Sequence, residues 1–408
     1  MIAISAALVA LLFVALGGPA LATSVYTQQP TFSVLSQPTS IAYSIDGSQA
    51  YIARGNNNQC FVDSINTSTQ LVVATKQIPC GVADQIVMIK MMPNGSALWV
   101  ATDKTVYSLN PSTLQETLII DNSNVGSSHL RGFSFSSDSS FAFISDLRPA
   151  VYRFSTSGTL PLTSNYTYSI ATWASAADDA VVSPDGTHLL VLTTGPSSKV
   201  ISFPLTSYGF DPPTVTTLTG TTARSAVFSA DSSKMYIAVG QATSPPSNFG
   251  IFAADQDGNY GSTLTTSSMP TSLSLSPDGT TILASQAASS FSLVNVSTNA
   301  VTSQNLSGYP DGSLAAINTT GASAYLAASG TSSILPLAIT PPVGPGTPTP
   351  TPTPSPSPNT LPNTGMSQQS LNIGLFAAGG MLFFGGVLVV SSIQIARRRV
   401  HSETKPLN

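Results

Sequence analysis

Charge is scarce in this chain: only 8% of its 408 residues are Asp, Glu, Lys or Arg, and it carries three histidines, two cysteines and two tryptophans. Each shortage excludes something. Between Thr23 and Ile339, ten Lys or Arg stand against seventeen Asp or Glu, a net of −7, which excludes the basic footprint of a nucleic-acid binder. That stretch holds two histidines, His129 and His188, and no cluster of Cys and His or D-x-D-x-D-G loop that would indicate a bound metal. There is no G-x-S-x-G and no glycine-rich phosphate loop, so no cofactor and no catalytic residue is expected. No apolar stretch in the body runs at helical period, which leaves short strands punctuated by Ser and Gly.

What is present is a repeat. Turn pairs recur at Asp46-Gly47, Asn94-Gly95, Asp138-Ser139, Asp185-Gly186, Asp231-Ser232, Asp278-Gly279 and Thr320-Gly321, with successive spacings between 42 and 48 residues. An alternating strand leads into each turn, as in Leu273-Ser274-Leu275-Ser276, and β-branched or aromatic residues lead out, as in Met235-Tyr236-Ile237-Ala238-Val239. An Asp-Gly pair suits a tight connection because Gly accepts positive φ and Asp bonds its own backbone. Two further strands follow, such as Thr105 to Leu109 and Gln115 to Ile120. Four strands at this period read as propeller blades, and a single blade is too small to bury both of its faces. The expected fold is all-β, a seven-bladed β-propeller of four-stranded blades over residues 23–340. The seventh blade lacks its outer strand, and the spare segment Val25 to Leu35 could supply it, so that ring closure joins the two ends of the body.

The repeats also resemble a family. Ser183-Pro184-Asp185-Gly186 and Ser276-Pro277-Asp278-Gly279 look like the S-P-D-G element of YVTN-type and lactonase-like propellers, and the stretch Phe61 to Thr75 looks like their V-S-V-I-D-T-A-T-N-K-V-V-A-T-I segment. The YVTN tetrapeptide is only echoed, by Tyr51-Ile52-Ala53 and Tyr236-Ile237-Ala238. The sialidase-type Asp box is missing, since no Trp follows an S-x-D-x-G element. The resemblance implies that the first strand of each blade lines a central channel and that ligands sit at its mouth. Seven residues before each turn Asp, or its equivalent, stand Thr39, Val87, Arg131, Asp178, Arg224, Thr271 and Ser313. Arg131, Asp178 and Arg224, with adjacent His129 and Asp179, are the candidate ligand-binding residues, suited to a carboxylate or acidic sugar. The competing reading is an inter-blade salt-bridge network that binds nothing. His129 and His188 are expected at opposite ends of the channel.

The two termini give the address. Ile2 to Leu16 are apolar and Ala20-Leu21-Ala22 is an A-x-A-like cleavage site, so residues 1–22 read as a signal peptide, although no Lys or Arg precedes the apolar run. At the other end stand a Pro/Thr-rich linker over 341–360, Leu361-Pro362-Asn363-Thr364-Gly365, and a spacer with an apolar stretch over 366–396. Arg397-Arg398-Arg399 opens a basic tail over 397–408. A run of roughly 20 apolar residues is long enough to span a bilayer, and the arginines mark its cytoplasmic side. The order resembles the cell-wall sorting signal of Gram-positive surface proteins. It implies a sortase transpeptidase that cuts between Thr364 and Gly365 and joins Thr364 to peptidoglycan, with the precursor held transiently in the membrane. The mature protein would be extracellular, on a polyproline stalk. There Cys60 and Cys80, in loops that consecutive antiparallel strands bring to one face, are expected to pair as a disulfide, a contribution of about 3 kcal/mol on the chain-entropy argument. Six sequons, at Asn66, Asn94, Asn165, Asn295, Asn305 and Asn318, follow from the Ser/Thr/Asn richness. The expectation is a wall-anchored binding or adhesion module for a glycan or protein. The alternatives are a lactonase-like or hydrolytic enzyme and a structural envelope protein.

Overall fold

Seven antiparallel sheets follow one another along the chain. The computed structural model describes residues 25–340 apart from 57–58, 82–83, 122–128, 175, 194–196, 207–208, 220, 242–248, 307–311 and 329. The signal segment, the linker, the sorting motif and the apolar run lie outside the described residues.

Blade one comprises Pro38–Tyr43, Gln49–Asn56, Gln59–Asn66 and Leu71–Ile78, and blade two Ile86–Met91, Leu98–Thr102, Val106–Leu109 and Glu116–Ile120. Blade three comprises Leu130–Phe135, Phe141–Asp146, Ala150–Ser155 and Ser164–Ser169. Blade four comprises Asp179–Val182, His188–Leu192, Lys199–Thr206 and Thr214–Thr217, with a short extra strand Gly209–Phe210. Blade five comprises Thr221–Phe228, Lys234–Gln241, Gly250–Asp255 and Tyr260–Leu264, and blade six Pro270–Leu275, Thr281–Gln286, Ser290–Asn295 and Val301–Asn305. Blade seven is built from Gly312–Ile317, Ser323–Ala328 and Ser333–Thr340. First strands of neighbouring blades touch in order, and that of blade seven touches that of blade one. The fold is a seven-bladed β-propeller of four-stranded blades.

The fourth strand of blade seven comes from the other end of the chain. Val25–Gln28 pairs antiparallel with Ser333–Thr340, Val25 opposite Thr340 and Gln28 opposite Leu337, and Phe32–Ser33 pairs further along the same strand. Side chains lock this strand in place: Tyr26 is buried and meets Phe291 of blade six at 6.1 Å, and Phe32 meets Tyr325 edge-on at 5.5 Å.

Apolar side chains fill the layers between blades. Trp99, Phe133, Phe135 and Phe154 form one such layer between blades two and three, and Phe143, Phe203 and Phe210 another between three and four. Second strands are covered on both faces, so Ala50-Tyr51-Ile52-Ala53 and Met235-Tyr236-Ile237-Ala238 are wholly buried and read as continuous apolar runs. The tyrosine of each run ties its blade to the next. Tyr51 donates to the carbonyl of Pro111 at 2.9 Å and Tyr236 to that of Val296 at 3.0 Å.

All seven repeat turns place their second residue in the left-handed region: Gly47, Gly95, Ser139, Gly186, Ser232, Gly279 and Gly321, with φ between 62° and 72°. Each donates its N–H to the carbonyl three residues earlier. In five of them a serine hydroxyl donates to the turn aspartate at 2.6 Å, as Ser44 does to Asp46 and Ser136 to Asp138. The turns also interlock. A Cβ on Gly279 would lie 2.5 Å from the Ala230 Cβ of blade five. Where serine replaces glycine, its hydroxyl accepts the N–H of the preceding blade's turn, Asn94 to Ser139 at 3.1 Å and Asp185 to Ser232 at 3.0 Å. Left-handed backbone costs a non-glycine residue about 1–2 kcal/mol, and a hydrogen bond of about 1 kcal/mol offsets much of it.

Removing Val25 to Leu35 should expose the edge of blade seven; we expect a lower melting temperature and aggregation, and an unchanged melt with monomeric elution would contradict the closure. The turns generate a pH dependence. The hydroxyls of Ser44, Ser136 and Ser229, then the N–H groups of Ser48, Ser140 and Ser233, hold Asp46, Asp138 and Asp231 below the usual carboxylate range. Folded-state pKa values depressed in this way give stability that is present above the unfolded value of about 3.9 and lost as pH falls through the folded ones. The melting temperature should therefore drop as pH falls below about 4. Asn94 accepts from Ser96 as the aspartates do, so the triple variant Asp46→Asn, Asp138→Asn, Asp231→Asn should fold and show a flatter acid limb, measured by melting from neutral pH downward.

Candidate functional site at the channel mouth

The register that lines the channel opening has a structural cause. In six blades the residue seven before the turn is the extra residue of a β-bulge: Thr39, Val87, Arg131, Arg224, Thr271 and Ser313 are each skipped in the pairing with the second strand. A bulge turns its extra residue off the ladder. Blade four differs: Asp178 precedes the first strand, donating its N–H to the Leu192 carbonyl at 2.8 Å, and Asp179 opens the strand without a shift.

Arg131 and Arg224 thus occupy equivalent bulges in blades three and five, with Asp178 just before the first strand of blade four between them. Arg131 is half-buried, and its Nε is buried with no hydrogen-bond partner. It lies, with His129, within electrostatic reach of Asp103. Arg224 is exposed, and its Nε lies beside Gly240 of its own blade, 3.8 Å from where a Cβ there would stand. The inter-blade salt-bridge network is not formed by these arginines: among the described residues, ion pairs within 4 Å are Arg54–Asp63, Lys76–Glu116, Arg148–Asp146 and His188–Asp257.

Asp179 belongs to a second group. Burial pushes its carboxyl above the usual range and pushes the Lys90 amine below its own, while each charge partly counters the effect on the other. Both residues are half-buried. Lys90 sits over the Phe133 ring, 5.9 Å from its centre. Gly132 makes room for Asp179, since a Cβ there would lie 2.6 Å from the carboxylate.

Two acids that no repeat register marks complete the mouth between blades two and three. Asp103 follows the second strand of blade two. Its N–H donates to the Gln85 carbonyl at 3.1 Å and to Asp84 Oδ1 at 2.9 Å, and its carbonyl accepts the Leu130 N–H of blade three at 2.7 Å. Both acids are 7% exposed. Burial, then the Asp84 charge, push the Asp103 carboxyl up, against Arg131, His129 and Lys104. The position recurs as Asp146 in blade three, whose carbonyl accepts the Ala177 N–H at 3.0 Å. Asp146 is saturated, by the Arg148 N–H at 2.8 Å and the Tyr152 hydroxyl at 3.1 Å. Asp103 Oδ1 is buried with no partner. Thr102-Asp103 and Ser145-Asp146 at the ends of equivalent strands are the sequence signal that could have pointed here.

Elsewhere, Cys60 and Cys80 form a disulfide with Cα atoms 6.1 Å apart, beside the buried pair in which Arg54 Nη2 donates to Asp63 at 2.9 Å. His188 begins a second strand next to a turn and pairs with Asp257 at 3.8 Å, on the face opposite His129. A cavity of 540 Å³ opens between blades five and six on that turn face, with Asp231, Lys234 and Asp278 at its rim and Leu293 and Val296 among its apolar lining. Its aspartates are already bonded to Ser229 and Ser276.

No family model and no curated protein sequence matches this chain. Among solved structures it is similar to a chain of Kuenenia stuttgartiensis hydrazine synthase, at 14% identity and a TM-score of 0.58, covering 74% of this chain and 96% of that one. At that identity the likeness shows the fold alone.

The packing around Asp179 and Arg224 separates two roles. Gly132→Ala should cost about 1–3 kcal/mol through overpacking, whereas Arg224→Ala should stay within about 0.5 kcal/mol of the parent; chemical denaturation of both variants checks this.

Proposed function

We propose that this chain is a surface-displayed propeller, exported through its N-terminal signal and joined to peptidoglycan at Thr364 by a sortase, and that it binds an extracellular glycan or protein at the channel mouth. The observation that carries the reading is closure of the ring on its own ends. Val25 lies opposite Thr340, so the fold is complete between the cleavage site and the Pro/Thr tract. The tract is left to act as a stalk and Leu361 to Gly365 as the processed motif. The repeat resemblance to YVTN-type propellers agrees with such a role. Binding is supported by the mouth itself, where Arg131 Nε and Asp103 Oδ1 are both buried without a hydrogen-bond partner.

A second reading, hydrolysis at the same mouth, draws on Asp103. Burial and the Asp84 charge push its carboxyl up, and a carboxyl pushed up beside another acid is an arrangement that general acids use. Conversion of a bound ligand, lost in Asp103→Asn, would favour it over binding alone.

Thr364→Ala, or loss of the partner sortase, should shift the protein from the wall fraction to the membrane fraction in cell fractionation. Unchanged wall attachment in both strains would overturn the anchoring reading.

A further inference from the structure

Resting on the reading of the mouth as a binding site, we infer that its ligand is a neutral sugar face, one hydroxyl of which donates to Asp103 Oδ1 and accepts from Arg131 Nε. The mouth holds an acceptor and a donor that are both buried and both without a partner. The Leu130 N–H, bonded to the Asp103 carbonyl at 2.7 Å, brings Arg131 beside Asp103, yet no ion pair within 4 Å joins the two side chains. Leaving one such group unmade is costly, and buried polar atoms are otherwise nearly always satisfied. The saturated carboxylate of Asp146, in the same position one blade on, shows that this fold can satisfy an acid there.

The chemistry of the two atoms narrows the ligand. A carboxylate oxygen only accepts and a guanidinium nitrogen only donates, whereas a hydroxyl does both at once. The surroundings are balanced in sign, with Asp84 and Asp103 against Arg131 and Lys104 and with His129 alongside. An anionic ligand would gain from the arginine and lose to the two acids. A metal cation would meet the reverse conflict, and no group of three or more ligating side chains occurs among the described residues. The expectation of an acidic ligand, drawn from the Arg-Asp-Arg row, therefore gives way to a neutral polyol. Arg131 as a whole is only half-buried, so its displacement is what opens the pair to an entering hydroxyl.

The propeller body closes on its own strands and can be used alone. We would measure saturation-transfer NMR on it with the methyl glycosides of glucose, galactose, mannose and N-acetylglucosamine, with methyl glucuronide, and with alanine as a zwitterion. The expected result is transfer to one or more neutral glycosides, weakened by about tenfold or more in Asp103→Ala and in Arg131→Ala. Asp103→Ala should melt no lower than the parent, because it removes a buried carboxylate oxygen that has no partner. Tighter binding of the glucuronide than of methyl glucoside, lost in Arg131→Ala, would overturn the neutral-sugar inference and leave the mouth as the site. Neutral glycosides that bind undiminished in both variants would overturn the mouth itself. Silence across the panel would overturn the inference.

Discussion

The innermost strand of every blade turns a row of N–H groups toward the channel that no strand of its own sheet can satisfy, and the ring depends on how they are met. In blades two, four, six and seven a serine hydroxyl of the preceding blade meets one of them. Ile89 donates to Ser40 Oγ at 3.0 Å, Val182 to Ser134 at 3.2 Å, Leu273 to Ser225 at 3.2 Å, and Ile317 to Ser274 at 2.9 Å. An unsatisfied buried N–H costs about 1–3 kcal/mol, and an unsatisfied edge also invites pairing with another chain. A hydroxyl answers both without a charge. The shortage of charged residues and the abundance of Ser and Thr in this body are thus one physical choice, and the alternating Leu-Ser-Leu-Ser strand before a turn is its local signature.

Blade-to-blade bonds of this kind are each weak, and they act together only because the ring has no end. The strand that closes it, Val25–Gln28, is the first of the described chain and pairs with the last, Ser333–Thr340. Blade seven also holds blade one through the opposite face, where Asn318 Nδ2 donates to the Gly47 carbonyl at 2.9 Å and Thr319 Oγ1 to that of Ser44 at 2.8 Å. A Cβ on Gly47 would lie 2.0 Å from Asn318 Oδ1, so the closing joint is as tight as the others.

Much of the fold was legible because turn chemistry is local. Left-handed backbone and an Asx side chain leave their mark within three residues, and the period carried that mark across Ser139 and Ser232, where glycine is absent. The closing strand was legible by counting, since seven blades were one strand short. The site was legible only in part. The register put Arg131 and Arg224 at equivalent places, and the bulge explains why both leave the ladder. What the register could not convey is direction: two arginines at equivalent positions end up in different surroundings, one against Asp103 and the other exposed beside Gly240. Asp84 lies off the repeat, and the Asp103 position recurs as an acid only at Asp146, too thin a pattern to stand out by spacing. Asp84 and Asp103 matter because the start of blade three lands on the Asp103 carbonyl, a contact between segments that spacing does not reveal.

The electrostatics of the mouth follow from the same economy of charge. A body with a net of −7 would attract cations over a distance, but salt screens that field within about 8–10 Å. Around Asp103 the mouth sets acids against bases in nearly equal number. Such an arrangement does little to steer a charged ligand and much to orient one that can both give and accept hydrogen bonds. The buried carboxylate sharpens the effect, because a polar atom held away from water gains more from a well-placed partner than an exposed one. On the proposed reading, selectivity at this mouth rests on the geometry of hydrogen bonding around Asp103 and Arg131, which a repeat built from uncharged side chains leaves undisturbed.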